Sequence, residues 1–434
     1  MTIAASLLSI ILAFSPIEKS MKSTFSVLDD SLIPPKGWTE VAPMPAGTGN
    51  YGIKQGGWLS AGEEGIYAGK GNKSRDFYVY NPSKNTWTSL TPIPDMEGKF
   101  PSKGTRGVYI GNGEVLLSTG NNRSSFWIYN SSSSSWGKTT DIPGGPSGKG
   151  IKGGNDMVFV QNEQGNFVYV LKGYKTEFWK FDVDKETWSQ LPNAPIGRMG
   201  KYNEGSFLVY DGDNTIYAHK AKYFTTNNHE MGKFDVMGDT WYSQLLTGMP
   251  LEGLDNGSLK RKKSKDGGSG AWANGGIQAL KGGNTQQFFW YNPLEDKWTE
   301  LDTLPSIGSY GKKKRVKQGG DLVSCNGISY ALKGNKTLEF WEYGGAYSLD
   351  DIVKENQQIQ SENKSSEPTN QSQTIMTKQQ AISYGLREQI RARLNPSGRV
   401  ITEKEWKKGN LPSGVYFILN NKDGEKIERI VVTN

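Results

Sequence analysis

Short apolar runs alternate with turns of Gly, Asn, Asp and Ser along most of the chain. The stretch 77–94 reads FYVYNPSKNTWTSLTPIP, and its order of aromatic run, polar turn, tryptophan and proline recurs at 178–192 and 288–305. Runs of this length between turn residues predict β-strands joined in hairpins. Six tryptophans mark the repeat at intervals of 49, 49, 52, 53 and 57 residues: Trp38, Trp87, Trp136, Trp188, Trp241 and Trp298. A period near 50 predicts a repeat architecture.

Each repeat predicts four antiparallel strands, A to D, with the tryptophan on strand D. The first tryptophan strand, at 37–45, has no strands A to C before it, and the last repeat, at 319–345, has no strand D. The two incomplete ends together make a sixth unit. We therefore predict an all-β, six-bladed β-propeller over about 34–346, closed by the N-terminal strand. Radial closure removes the exposed edges of the sheets.

The glycine-led strand A, the aromatic strand C and the tryptophan on D resemble kelch repeats. All six units carry the pattern, although the fourth has Met231 and Gly232 at aromatic positions and an insertion at 222–230. The resemblance implies a propeller scaffold and no particular activity, because such scaffolds carry both binding proteins and enzymes. We interpret the repeated aromatic residues as packing between blades.

The two ends of the chain predict export. Residues 4–14 form an apolar run, and we interpret 1–20 as a secretory signal peptide; the alternative is an apolar leader without that role. The segment 348–378 is rich in Gln, Asn, Ser and Glu, which predicts a disordered linker.

Residues 379–434 predict a small β domain. A Ser-Gly-Arg turn at 397–399, the run PSGVYF at 412–417 and a basic–apolar strand at 426–433 resemble the C-terminal sorting domain of type IX secretion cargo. The resemblance implies export across an outer membrane, with attachment to the cell surface or release. The alternative is a small β-sandwich with a structural or docking role.

The counts of cysteine and histidine limit the reactions and metal sites that the protein can support. The single cysteine, Cys325, excludes an intrachain disulfide, and the two histidines, His219 and His229, leave few ligands for a metal or partners for a nucleophile. No metal or cofactor is predicted. Three acidic residues at or near strand A, Asp156, Glu204 and Asp321, could form a catalytic carboxylate pair, but we interpret them as partners of neighbouring lysines.

Lysines recur at two positions of the repeat. Those just before strand A are Lys54, Lys103, Lys152, Lys201, Lys265 and Lys317, and those at the end of strand B are Lys70, Lys172, Lys220, Lys281 and Lys333. Because the start of A lies beside the end of B in a hairpin, we expect all eleven to crowd one face at the channel mouth. The basic loops 260–265 and 312–317 add to this face.

Repeated like charges repel each other and need compensation. One source is local pairing with Asp76, Glu177 and Glu339 at the start of strand C, and duplication of an ancestral blade would copy the lysine without any function. The other is an anionic ligand held by the eleven lysines, which the net charge of +7 permits.

These observations lead to three hypotheses. The first is a secreted or cell-surface binding protein without enzymatic activity, which presents the lysine-rich face to an acidic glycan or protein. The second is a structural or adhesive surface component that assembles with its own copies. The third is a propeller enzyme, a lyase or hydrolase of acidic polysaccharide that uses Asp156 or Asp321. We expect no transmembrane span and no nucleic-acid partner.

Overall fold

The computed structural model describes residues 37–344 apart from 97, 198–199 and 224–228, together with the backbone of four strands in the C-terminal segment. The chain divides into two units, one of Pro35–Ala346 and one that comprises the remaining residues at both ends.

The unit Pro35–Ala346 contains six antiparallel sheets of four or five strands, as expected for a six-bladed, all-β propeller, and one separate two-stranded sheet. Strand β1 (Trp38–Val41) comes first in the chain. Blades one to three contain β2 (Trp58–Gly62), β3 (Gly65–Gly69), β4 (Phe77–Asn81), β5 (Thr86–Ser89), β6 (Arg106–Tyr109), β7 (Glu114–Ser118), β8 (Phe126–Asn130), β9 (Ser135–Thr139), β10 (Asn155–Asn162), β11 (Gly165–Lys172), β12 (Phe178–Asp182) and β13 (Thr187–Leu191).

The remaining three blades follow the same order, with additions around blade four. They and a separate hairpin contain β14 (Phe207–Tyr210), β15 (Thr215–His219), β16 (His229–Asp235), β17 (Thr240–Trp241), β18 (Leu246–Thr247), β19 (Glu252–Asp255), β20 (Ser258–Arg261), β21 (Ser269–Ala273), β22 (Gly276–Leu280), β23 (Phe288–Asn292), β24 (Lys297–Glu300), β25 (Asp321–Cys325), β26 (Ile328–Leu332) and β27 (Phe340–Tyr343). Strand β1 pairs antiparallel with β27, with Trp38 opposite Tyr343.

Strand A of each blade lies innermost. The six A strands, β2, β6, β10, β14, β21 and β25, follow one another around a ring in which β25 lies against β2. The core is divided into six hydrophobic clusters, one between each pair of neighbouring blades. The aromatic repeat therefore packs between blades, as the sequence predicts.

The tryptophans on strand D also form hydrogen bonds between blades. Trp87 Nε1 donates to the carbonyl oxygen of Ala42 at 2.7 Å, and Trp188 Nε1 to that of Thr140 at 3.0 Å. The other four make the same bond to the segment after the preceding strand D, at 2.8–3.0 Å: Trp38, Trp136, Trp241 and Trp298. A phenylalanine could not form these bonds, which explains the choice of Trp over Phe at this position.

Blade four departs from the repeat. Its outer edge is split between β17 and β18, and the pairing of β16 with β18 is irregular between His229 and Met231. The additional hairpin of β19 and β20 contains the first part of the basic loop 260–265. The insertion that the sequence places at 222–230 lies largely outside the described residues.

The C-terminal segment contains β28 (Thr374–Thr377), β29 (Ile390–Leu394), β30 (Gly414–Asn420) and β31 (Ile427–Thr433). They form one sheet in the order β28, β31, β30, β29, in which β28 runs parallel to β31. The leader 1–20, the turn at 397–399 and most of 348–378 lie outside the described residues. No helix in the part of the chain that the structure describes is long and apolar enough to cross a membrane.

Candidate functional site

The five lysines at the end of strand B are fully buried, so the prediction that they crowd the channel mouth is wrong. They are Lys70, Lys172, Lys220, Lys281 and Lys333. Four pair with a carboxylate at the start of strand C in the same blade: Lys70 with Asp76 at 3.3 Å, Lys172 with Glu177 at 3.0 Å, Lys220 with Glu230 at 3.4 Å, and Lys333 with Glu339. The local pairing proposed for Asp76, Glu177 and Glu339 is confirmed.

Three of these side chains, Lys70, Lys172 and Lys281, reach the loop that arrives from the preceding blade. Lys172 Nζ donates to the carbonyl oxygens of Pro143 and Gly144 at 2.9 and 2.7 Å, and Lys70 donates likewise to Ala46. Burial lowers the pKa of Lys70, and the nearby Asp76 carboxylate offsets part of that change. Lys70, Lys172 and Lys281 therefore join one blade to the loop that arrives from the preceding one.

Blades two and five use other partners at the same place. In blade five, Lys281 Nζ donates to Gln287 Oε1 at 2.5 Å and to the Leu251 carbonyl at 2.8 Å. Without a carboxylate at hydrogen-bond distance, burial lowers the pKa of Lys281 to about 7. In blade two, the Thr119 and Ser125 hydroxyls lie 3.0 Å apart in place of the ion pair.

The lysines before strand A belong to a repeated β-turn. Its first carbonyl oxygen accepts a hydrogen bond from the N–H three residues later, at 2.7–3.0 Å, in the turns that begin at Lys54, Lys152, Lys265 and Lys317. The third residue of each is a glycine with φ between 82° and 89°, which identifies a type II turn. At Gly319 a Cβ would also lie 2.1 Å from the Lys54 carbonyl oxygen, so the close approach of blades six and one requires glycine.

Lys103 and Lys201 do not occupy the same position, contrary to the six-fold pattern read from the sequence. In blades two and four the turn begins at Ser102 and Asn203. Lys103 is therefore the second residue of its turn, and Lys201 precedes its turn by two residues.

The lysines that begin the turns before strand A are more exposed than the five lysines at the end of strand B. Lys265 and Lys317 are exposed and Lys54 and Lys152 are partly exposed. Within the described residues, none of these four takes part in an ion pair. Other exposed lysines in the basic loops lie on the same face: Lys260, Lys262, Lys312 and Lys313.

An arginine that the sequence analysis did not single out spans the channel. Arg106, the first residue of β6, pairs with Asp156 of β10 at 2.7 Å and with Asp321 of β25 at 2.6 Å. The interpretation of these two aspartates as lysine partners is therefore wrong, whereas Glu204 does pair with a lysine, Lys103, at 2.9 Å. Only a cavity of about 100 Å³ remains at this mouth of the channel.

The two aspartates also accept hydrogen bonds from other blades. The Leu208 N–H donates to Asp156 at 2.8 Å, the Leu59 N–H to Asp321 at 2.7 Å, and the Ser269 hydroxyl to Asp321 at 2.6 Å. Burial, with the nearby Asp321 adding to it, raises the pKa of Asp156 against the opposing effect of Arg106. All six blades thus contribute to one buried polar network.

The remaining reactive side chains are buried in the core. His219 Nε2 lies 3.0 Å from the Ser264 hydroxyl, and burial, with Lys281 and Lys220 nearby, lowers its pKa to about 3. Cys325 is buried, and burial raises the pKa of its thiol. The His229 side chain lies outside the described residues. No three His, Cys, Asp or Glu side chains in the described part of the chain cluster as a metal site would require.

Two features of the candidate site were not predicted from the sequence. Arg106 could have been found as the basic residue that opens a strand A, but its partners lie 50 and 215 residues away. The repeated triplet Gly-Asn-Lys at 71–73 and 334–336 was visible, yet its place on the lysine-rich face depends on which blades are neighbours.

The fold and site define a six-bladed β-propeller with an exposed basic face and a channel crossed by an ionic network. No protein-family model and no curated protein matches the chain. Among solved structures it is similar to one titled "Structure of YjhT", at 13% sequence identity, with 70% of this chain and 95% of that chain covered and a TM-score of 0.48.

Proposed function

We propose that the protein is a binding protein without enzymatic activity, which holds an anionic partner, an acidic glycan or an acidic protein, on the face of its D–A and B–C connections. The observation that carries this proposal is the set of exposed turn lysines, Lys54, Lys152, Lys265 and Lys317, which have no ion-pair partner within the described residues. Several unpaired positive charges on one face attract anions because their fields add.

The proposal also includes the type of propeller, its closure and the roles of the two ends of the chain. We infer that the propeller is of the kelch type and that β1 closes it, supported by the pairing of β1 with β27 and by the Trp38 hydrogen bond to Asp302. We further infer that residues 1–20 direct secretion and that residues 379–434 direct export or attachment to the cell surface, which rests on the sequence alone.

The enzyme alternative is less well supported. Asp156 and Asp321 are 3% and 0% exposed, and their oxygens accept bonds from Arg106 and from neighbouring blades. A general acid or base must reach its substrate, and these carboxylates are already engaged in the structure.

Binding of acidic and neutral oligosaccharides to the full chain across a salt series tests the proposal. The variant with Lys54, Lys152, Lys265 and Lys317 all changed to Gln should lose about 30-fold in affinity, since each surface charge contact contributes about 0.5 kcal/mol. Its matched control changes four lysines near the C–D turns and on outer strands: Lys84→Gln, Lys138→Gln, Lys185→Gln and Lys297→Gln.

The control variant has the same net charge as the first and should bind within about twofold of the wild type. Wild-type affinity should fall as salt rises, because mobile ions screen exposed charges. Equal losses in both variants would show attraction by net charge alone, and the absence of binding to every acidic ligand would overturn the proposal.

A further inference from the structure

A groove lies on the basic face between blades six and one. Its volume is about 760 Å³, within the range of roughly 300–1,000 Å³ typical of ligand pockets. It is lined by the connections around 43–54 and 309–310 and by the B–C turns of both blades. Its chemically distinctive side chains are three lysines and two tyrosines: Lys54, Lys73, Lys336, Tyr51 and Tyr310.

The positive charge of the groove is not neutralised from within. The only carboxylate among its lining residues is Glu339, which is buried and already paired with Lys333. Within the described residues, Lys54, Lys73 and Lys336 have no ion-pair partner. An anion that entered the groove would therefore meet three available ammonium groups.

The backbone fixes the positions of two of these lysines. Lys73 and Lys336 each end a Gly-Asn-Lys turn and have φ of 66° and 67°, a left-handed conformation that is uncommon for residues other than glycine. The asparagine before each is tied down: Asn72 Nδ2 donates to the Gly52 carbonyl at 2.7 Å, and Asn335 Nδ2 to the Arg315 carbonyl at 3.0 Å. Both lysines are thus presented from preformed turns.

Two neighbouring blades that both have a lysine at this place of the B–C turn occur at one side of the propeller. At the place of Lys73 and Lys336, blades two, three and five have Asn122, Tyr174 and Asn284, and blade four has Lys222, whose blade neighbours lack a lysine there. Since blades six and one are neighbours around the ring, the lysines of their B–C turns, Lys73 and Lys336, border the same groove.

The tyrosines give the groove apolar surfaces. Tyr51 is 47% exposed and Tyr310 is 44% exposed, and Lys314 lies 5.6 Å from the centre of the Tyr310 ring. The loop that holds Tyr310 is anchored, because Ser309 Oγ donates to Glu40 at 2.6 Å. An exposed aromatic face packs well against the C–H face of a sugar ring. The lining residue Asn50 can exchange hydrogen bonds with hydroxyls, and the side-chain oxygens of Asn72 and Ser309 can accept them.

We propose that this groove is the binding site for an acidic oligosaccharide, a chain of sugars that carry carboxylates. The lysines would bind the carboxylates and the two tyrosines would pack against the sugar rings. This inference rests on the proposed function and narrows it to one site and one ligand class. An acidic peptide would satisfy the lysines but would leave the tyrosine faces without a matching partner.

The test measures binding of oligogalacturonate, a neutral oligosaccharide and polyglutamate to the full chain. The variant Lys73→Gln/Lys336→Gln should weaken oligogalacturonate binding about fivefold. Its matched control, Lys175→Gln/Lys222→Gln, changes lysines in the B–C turns of blades three and four and should leave binding unchanged. The variant Tyr51→Ala/Tyr310→Ala should weaken oligogalacturonate binding even at high salt, whereas Tyr242→Ala, an exposed tyrosine elsewhere, should not.

The outcomes separate the two proposals. If the wild type binds oligogalacturonate but the groove variants behave like their controls, the groove inference is overturned while the basic face remains the proposed site. If the tyrosine variant loses polyglutamate as strongly as oligogalacturonate, or if polyglutamate binds more tightly, the ligand class is wrong. If no acidic ligand binds the wild type, the proposed function fails together with the groove.

Discussion

Lysines that lie opposite each other across the A–B hairpin have different surroundings. Lys172 is buried between two blades with its ammonium group on Glu177 and on two carbonyl oxygens, whereas Lys152 stands at a turn on the surface. Burial opposes the ionised form of Glu177, but hydrogen bonds from Ser147 and Lys172 outweigh it and lower the pKa of that carboxyl. The inner lysines are therefore structural, and the outer ones are available to a ligand.

The Lys172–Glu177 pair should be strongly coupled. Lys172→Met leaves a buried carboxylate without its partner and should lower the free energy of unfolding by about 3–5 kcal/mol. The double variant Lys172→Met/Glu177→Gln removes that charge and should be more stable than the single variant by more than about 1 kcal/mol. Urea unfolding of the four members of the cycle measures this coupling, and a double variant no more stable than Lys172→Met would refute it.

At the scale of the strands and blades, the sequence predicts most of the fold. The aromatic run at 77–82 corresponds to β4 (Phe77–Asn81), and the last strand A to β25 (Asp321–Cys325). Hydrophobic pattern and turn residues determine such elements locally, and a repeat multiplies the signal six times. The sequence does not predict the irregular strands of blade four, because Met231 and Gly232 weaken the pattern.

The candidate site is less predictable than the strands. The sequence predicts the position of most of the lysines along the hairpin, with Lys103 and Lys201 as exceptions. It does not predict the direction of their side chains, because that depends on contacts with other segments. The bond from Arg106 to Asp321 joins residues that only the closed ring brings together. Contacts of this kind carry no local signal in the sequence.

The network of Arg106 should hold the blades together more strongly than the ion pair at the channel rim. Arg106→Met leaves two buried carboxylates without a cation and should lower the stability by about 3–5 kcal/mol. Lys103→Met breaks a pair whose lysine is 49% exposed and should cost less than about 1 kcal/mol. Unfolding midpoints of the two variants in urea make the comparison, and equal losses would contradict a special role for Arg106.

At the scale of the whole molecule, the buried lysines of the propeller have partners, whereas the lysines on one face do not. Inside the ring, lysines and Arg106 have carboxylate or carbonyl partners and all six blades share the channel network. On the face of the D–A and B–C connections, exposed lysines gather around the groove of blades six and one. This division between inner and outer charges leads us to expect a binding surface and no catalytic centre.

Acetylation of lysines in the folded full chain, quantified by mass spectrometry with and without oligogalacturonate, tests this division. We expect no acetylation of the inner set in either state: Lys70, Lys172, Lys220, Lys281 and Lys333. We expect ready acetylation of the outer set, with protection by the oligosaccharide at Lys54, Lys73 and Lys336 and none at Lys84 or Lys297 near the C–D turns. Reaction of the inner lysines, or protection spread equally over both faces, would contradict the account.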